Sequence, residues 1–466
     1  MYRYFLFVSL FICLTNCAFS QTRLPAMFSD NMVLQQKELV SVWGTDKAGT
    51  KISVRGSWGN STTTTTDASG HWKLKLQTAK AGGPFTITIK GSKEVILKNV
   101  LLGEVWFCSG QSNMEMSVKG YNNQPVIGSN ETILNSANDN IRFLNTPRSV
   151  SVKPLYDVKG EWKAANPATT GNFSATAYYF AKKINAVLNV PVGIIQSAWG
   201  ASTIESWMDK QSLSEFKNKI IPDKIPDSMP NRTSTIMYNS MLHPYIGYTI
   251  KGVLWYQGEA NREHANEYQA LFTSMINSWR KQWQQGDFPF YFVQIAPFEP
   301  GKANAAFLRE TQLKTMLSVK NTGMAVTMDI GERTVIHPAQ KEQVGNRLAY
   351  WALAKDYNVK GITFSGPVYK QLEKTNNGRV MLTFDHCEQG LTSFGKPLAD
   401  FEIAGEDKVF YPAQAMIRSD KNGAVIVWND TVKNPVAVRY AFKNWAEGSL
   451  FNTQGLPASS FRTDDW

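Results

Sequence analysis

Apolar and polar positions follow three successive patterns along this chain. From Leu24 to about Leu101 they alternate in short runs, as in Val40-Ser41-Val42-Trp43-Gly44, Lys51-Ile52-Ser53-Val54 and Phe85-Thr86-Ile87-Thr88-Ile89, separated by turns rich in glycine, aspartate and threonine. Alternation with period two puts one side of a run in a core and the other in water, which predicts a small antiparallel β domain over residues 21–100. After about Gly361 the same texture returns in Arg379-Val380-Met381-Leu382-Thr383-Phe384, Ala424-Val425-Ile426-Val427-Trp428 and Val436-Ala437-Val438-Arg439-Tyr440. A second β domain is therefore expected over 359–466. Between them, over 101–358, short apolar runs alternate with segments of helical length, which implies parallel βαβ units and a sheet covered by helices on both faces.

Five strands are predicted in this middle region: Val105–Ser109, Gly193–Gln196, Val253–Tyr256, Tyr291–Ile295 and Ala325–Asp329. Helices are predicted over Ala175–Leu188, Glu263–Trp283, Ala303–Val319 and Ala339–Ala354, and Asp209 to Arg232 reads as a long surface excursion. Ligands of an open parallel sheet bind outside the carboxyl ends of its strands. Four of the five predicted ends carry polar or glycine-rich clusters: Ser112; Ser197-Ala198-Trp199-Gly200; Gln257-Gly258-Glu259-Ala260-Asn261; and Asp329 through His337.

The first 20 residues hold one basic residue, Arg3, then an apolar stretch from Phe5 to Leu14 and the ending Ala18-Phe19-Ser20. That order predicts a cleaved secretory signal and a secreted or periplasmic protein. Leu14-Thr15-Asn16-Cys17 carries the leucine and cysteine of a lipoprotein signal, with Asn16 where a smaller residue is usual, so anchoring at Cys17 is the second reading. No other stretch approaches the ~20 apolar residues of a membrane span.

Removal of this segment leaves 48 Lys and Arg against 38 Asp and Glu, spread along the chain. With no basic tract or repeated aromatic-basic interleaving, nothing argues for nucleic acid. Two of the four cysteines fall in the signal, leaving Cys108 and Cys387. Such a chain is not a disulfide scaffold, and no Cys/His spacing suggests a metal. Composition leaves the oligomeric state open.

Gly110-Gln111-Ser112-Asn113-Met114 sets one serine on a sharp turn between the apolar run Val105-Trp106-Phe107-Cys108 and a segment able to start a helix. Such a turn exposes the hydroxyl and aims backbone N–H groups at negative charge formed beside it. The competing reading is a serine helix cap. A serine nucleophile needs a base, and the chain offers five histidines. His71 and His386 lie in the flanking β regions, His264 in a helical run and His243 before Pro244. His337 precedes Pro338, which keeps it out of the following helix and in the loop after the fifth strand.

Together with Trp255-Tyr256-Gln257-Gly258-Glu259-Ala260-Asn261 and with Asp329-Ile330-Gly331-Glu332 leading to Ile336-His337-Pro338, the Ser112 pentapeptide resembles the sialate O-acetylesterase family. The likeness runs from Leu24-Pro25-Ala26-Met27-Phe28 to Gln454-Gly455-Leu456-Pro457-Ala458, and some acetylxylan esterases share it. It implies an SGNH-hydrolase-like, flavodoxin-like α/β fold and removal of O-acetyl groups from a sugar without metal or cofactor. Sialic acid is the implied substrate, acetylated polysaccharide the alternative, and a catalytically dead carbohydrate-binding protein the non-enzymatic one. Ser112 is then the nucleophile and His337 the base. The oxyanion is held by the N–H groups of Ser112 and Gly200 and the amide of Gln257, with Asn261 as second choice. Glu259 reads as a brace for its loop, with a direct part at the substrate as its other reading. Arg309 is a candidate partner for a sialic acid carboxylate or an internal ion-pair residue, Trp199 and Trp207 are candidates for a sugar ring or for the core, and Asn239, which resembles a family position, is a candidate substrate contact or a buried structural amide. Many relatives carry an aspartate two or three residues before the histidine, where this chain has Thr334 and Val335. A Ser-His dyad with the ring N–H on a backbone carbonyl is therefore expected, with Asp329 or Glu332 as the other candidates to orient His337.

Overall fold

The computed structural model describes residues 21–375 and 377–466. The expected signal and Cys17 lie outside the described residues. At its centre is a sheet ordered Thr322–Ala325, Phe290–Val293, Gly252–Tyr256, Glu94–Gly110, Val192–Ala198, Asn138–Asn145 and Trp162–Ala165. All neighbours in this series pair in parallel except the last two. Alternate residues of the strands face opposite helix layers, as their two-residue period requires. Trp106, Ile194 and Leu254 pack with Ala175–Leu188 and Lys341–Lys355, whereas Phe107, Ile195 and Val253 pack with Ala265–Trp283.

Glu94–Gly110 spans 17 residues and crosses the expected border at residue 100 without a break. Its first half alternates in exposure and pairs antiparallel with Gly82–Lys90; its second half is buried throughout and forms the middle of the parallel sheet. The amino-terminal β region adds Lys51–Gly56 with Ser61–Thr65, and Leu39–Thr45 with His71–Gln77. After the last helix the chain forms small antiparallel sheets, among them Val380–Asp385 between Val368–Lys374 and Ala424–Trp428.

Of the predicted helices, Ala175–Leu188 is found with the same ends, capped by Ser174 Oγ accepting from Ala177 N at 3.2 Å. The others are Ala265–Trp283, Ala306–Ser318 and Lys341–Lys355. Two strands escaped prediction: Asn138–Asn145 because its polar start hides the alternation, and Trp162–Ala165 because its four residues are too few to show one. The fifth strand is Thr322–Ala325, so Ala325–Asp329 shares only Ala325 with it. Val326 to Met328 are buried as loop, where the Val326 carbonyl accepts from Arg347 and Thr327 Oγ1 donates to Gln294 O. Their apolarity reported burial, which a packed loop satisfies as well as a strand.

Candidate active site

Ser112 opens the four-residue helix Ser112–Glu115 at the carboxyl end of the central strand. The turn depends on Gly110, whose φ is +137° and where a Cβ would fall 2.1 Å from the Tyr256 carbonyl oxygen. No other residue fits that close approach. The cap position belongs to Gln111, and no side chain caps the helix. The Ser112 hydroxyl is instead 2.8 Å from His337 Nε2. First-turn N–H groups have no acceptor within their own helix, so the Ser112 N–H is suited to a developing negative charge.

His337 sits in the loop before Lys341–Lys355, half-buried, with the Tyr121 ring edge-on at 5.3 Å. Its Nδ1 meets Gln124 Oε1. A carboxamide oxygen only accepts, so Nδ1 carries the proton and Nε2 presents its lone pair to the serine hydroxyl. This corrects the expected backbone carbonyl. It also removes both carboxylates from that role. Asp329 forms a two-pronged pair with Arg347 at 2.7 and 2.6 Å, and Glu332 Oε1 accepts from Ala339 N at 2.8 Å. Gln124 lies 12 residues after Ser112 in a turn closed by reciprocal Tyr121–Gln124 backbone bonds. No motif marks it, which is why sequence reading missed it. Burial, with a contribution from Lys341, lowers the His337 pKa to about 4, so the imidazole is neutral over the ordinary range.

Beneath the dyad lies a buried polar chain. Asn113 Nδ2 donates to Glu259 Oε1 at 2.6 Å and to the Ile336 carbonyl at 3.1 Å, while its Oδ1 accepts from Lys341 Nζ. Asn113 and Lys341 are fully buried and Glu259 nearly so. Burial drives Lys341 down to about 7, opposed by Glu259 and Glu332, and pushes Glu259 up, opposed by Asn113 and Lys341. The chain ties the nucleophile's helix to the carbonyl just before His337. Glu259 thus sits as the expected loop brace, and Asn113 and Lys341 are site residues that sequence reading did not single out.

The expected oxyanion donors are differently employed. Gln257 is fully buried, and both its N–H groups are spent, on Ser202 O at 3.1 Å and Asn261 Oδ1 at 2.7 Å. Asn261 donates to Glu205 Oε2 at 3.0 Å and accepts from Ile204 N at 3.0 Å. Both amides brace the loops after the second and third strands, and the reading of either as an oxyanion donor is corrected. The Gly200 N–H donates to Glu115 Oε2 at 2.8 Å, and a Cβ on Gly200 would lie 3.3 Å from that of Ser112. Glu115 is in turn held by Arg148 Nε at 2.7 Å, and the Arg148 guanidinium lies 5.3 Å from the Trp199 ring centre. Trp199 is half-buried at this mouth; Glu115 and Arg148 are further residues there that no motif announced.

Other expectations are corrected. Arg309 is fully buried and donates to Ser460 Oγ at 3.0 Å and to the carbonyls of Ala441 and Lys443, so it fastens the carboxyl-terminal β region and reaches no substrate. Burial lowers its pKa to about 9. Asn239 is a buried amide donating to Ser151 O at 3.2 Å, and Trp207 is core, its Nε1 bonded to Ser202 Oγ at 2.9 Å. Cys108 and Cys387 are free and buried. Among the described residues no group of three or more His, Cys, Asp or Glu is placed to hold a metal, and no helix is long and apolar enough to cross a membrane.

A parallel α/β sheet with a serine at a glycine elbow and a histidine on the opposing loop defines a serine hydrolase site. The family model described as carbohydrate esterase, sialic acid-specific acetylesterase, matches residues 102–354. Sialate O-acetylesterase of Mus musculus is 28% identical over 94% of this chain and 93% of its own length; that of Homo sapiens is 28% identical over 91% and 88%. A crystal structure of a carbohydrate acetylesterase from Xanthomonas citri is 38% identical, covers 96% of this chain and all of its own, and superposes with a TM-score of 0.87. This chain belongs to the sialic acid-specific acetylesterase family of carbohydrate esterases, and it is a carboxylic ester hydrolase.

Proposed function

We propose that Ser112 and His337 remove acetyl groups from sugar hydroxyls through an acetyl-enzyme. The 2.8 Å contact between Ser112 Oγ and His337 Nε2 carries the reading and opposes a catalytically dead scaffold. His337 takes the hydroxyl proton as Oγ attacks the acetyl carbonyl, and the Ser112 N–H receives the oxyanion. The tetrahedral intermediate collapses as His337 passes its proton to the leaving sugar oxygen. Water, deprotonated by the same histidine, then releases acetate. The Gly200 N–H joins the oxyanion site only when Glu115 withdraws, a rearrangement that Arg148, already holding the other carboxylate oxygen, can stabilise.

Family likeness supports acetylated sialic acid as the sugar. One observation favours the second reading, an acetylated neutral polysaccharide: the arginine expected to hold a sialic acid carboxylate is in the core. Acetate release from O-acetylated N-acetylneuraminic acid and from acetylated xylan, measured side by side with an aryl acetate, tests both. Turnover of one sugar at least a hundredfold above the other assigns the substrate; failure on all three overturns the esterase reading. The leader-like residues 1–20 support action after export.

A further inference from the structure

Between the helix Lys341–Lys355 and loops of the carboxyl-terminal β region runs a cleft of about 630 Å³, the size of a small-ligand site. Gln340 lines it and lies three residues from His337, so the chain places it at most ~11 Å from the dyad's histidine. At the cleft floor Asp329 and Arg347 neutralise each other in their two-pronged pair. Its other polar groups include Lys396 and Glu447, one charge of each sign, and the carboxamides of Asn346 and Gln454, which donate and accept together as a sugar hydroxyl does, whereas Gln343 is bonded to Gln340 and Arg347. With two acidic and two basic residues, Asp329, Glu447, Arg347 and Lys396, such a lining suits a hydroxyl-rich ligand of no net charge.

One wall is Phe394, 62% exposed with φ +52°. A non-glycine residue is rarely held there, and strain of this kind collects at ligand sites. The conformation is fixed by Thr392 Oγ1, which accepts from Phe394 N at 3.0 Å, and by an edge contact with Phe451 at 5.0 Å. The ring is thus held at the surface beside a polar cleft, the arrangement that stacks on the apolar face of a sugar.

We propose that this cleft is a subsite for the neutral glycan chain that carries the acetylated sugar; the inference rests on the esterase reading above. The test compares kcat/KM on 4-nitrophenyl acetate with that on acetylated xylo-oligosaccharides of one to six units, for the wild-type enzyme and for Phe394→Ala and Gln454→Ala. Expected are a rise in wild-type kcat/KM with chain length, a loss on the order of tenfold in each variant on the longest chains through KM, and an unchanged aryl acetate rate. Binding of the hexamer to the Ser112→Ala enzyme, read by calorimetry, should weaken equally when Phe394→Ala is added. A wild-type rate independent of chain length overturns the proposal, as does equal loss on chain and aryl ester. A wild-type enzyme inactive even on the aryl ester removes the esterase reading, and the subsite with it.

Discussion

Two sets of polar residues meet at the carboxyl ends of the parallel strands, and their surroundings separate their tasks. Ser112, His337 and Gln124 are partly open to solvent and linked in a row, with the serine hydroxyl at the open end. Asn113, Glu259, Lys341, Gln257 and Asn261 are buried, with their hydrogen bonds directed at one another and at the loops above. A buried amide whose donors are already committed has none left for a reacting oxygen, and breaking its bonds leaves unpaired polar groups. A motif next to a nucleophile thus supplies both reactants and scaffold, and burial together with the bonds each group already makes tells them apart.

Substitutions on the two sides should therefore fail differently. Ser112→Ala should lower acetate release by at least ~10³-fold while leaving the circular dichroism spectrum unchanged; a variant keeping more than about a hundredth of the wild-type rate removes Ser112 from the chemistry. Gln124→Ala should cost roughly 10- to 100-fold in kcat with KM little altered, because the ring loses the acceptor that fixes its tautomer. A loss confined to KM would make Gln124 a substrate contact instead. On the buried side, Lys341→Met should lower unfolding free energy by about 1–3 kcal/mol, since it leaves the buried Asn113 Oδ1 without its donor. A denaturation midpoint equal to the wild type would show that the network carries no stability. The smallest catalytic effect is expected from Glu332→Gln and Asp329→Asn, a few-fold at most in kcat, although Asp329→Asn also disrupts the Arg347 pair. A loss near the ~10⁴-fold typical of removing an orienting carboxylate would restore a triad.

The sheet and its flanking helices were legible in the sequence because buried strands and amphipathic helices write their period into the chain, as Ala175–Leu188 shows by matching end for end. Ser112 and His337 were legible because elbow and pre-proline loop are local signals. Gln124 was not, since its role comes from a turn folding back onto His337 and neither residue type nor spacing encodes that meeting. Gln257 and Arg309 misled for the opposite reason. Their types suit oxyanion and carboxylate binding, but only the fold shows that Gln257 is consumed by Ser202 and Asn261, and Arg309 by the carboxyl-terminal β region.

Burial keeps His337 neutral and the Gln124 amide orients it. That neutrality is tested most directly by the pH dependence of kcat/KM on an aryl acetate, which reports the ionisation of the free enzyme. Because the His337 pKa is lowered to about 4, the ring stays a competent base as pH falls from 8 to 5, and the rate should fall only on further acidification toward 4. Gln124→Glu should move that fall upward, since a carboxylate at Nδ1 favours the protonated ring. A wild-type profile with its midpoint near the unperturbed ~6.5 of histidine would show that burial does not hold His337 neutral.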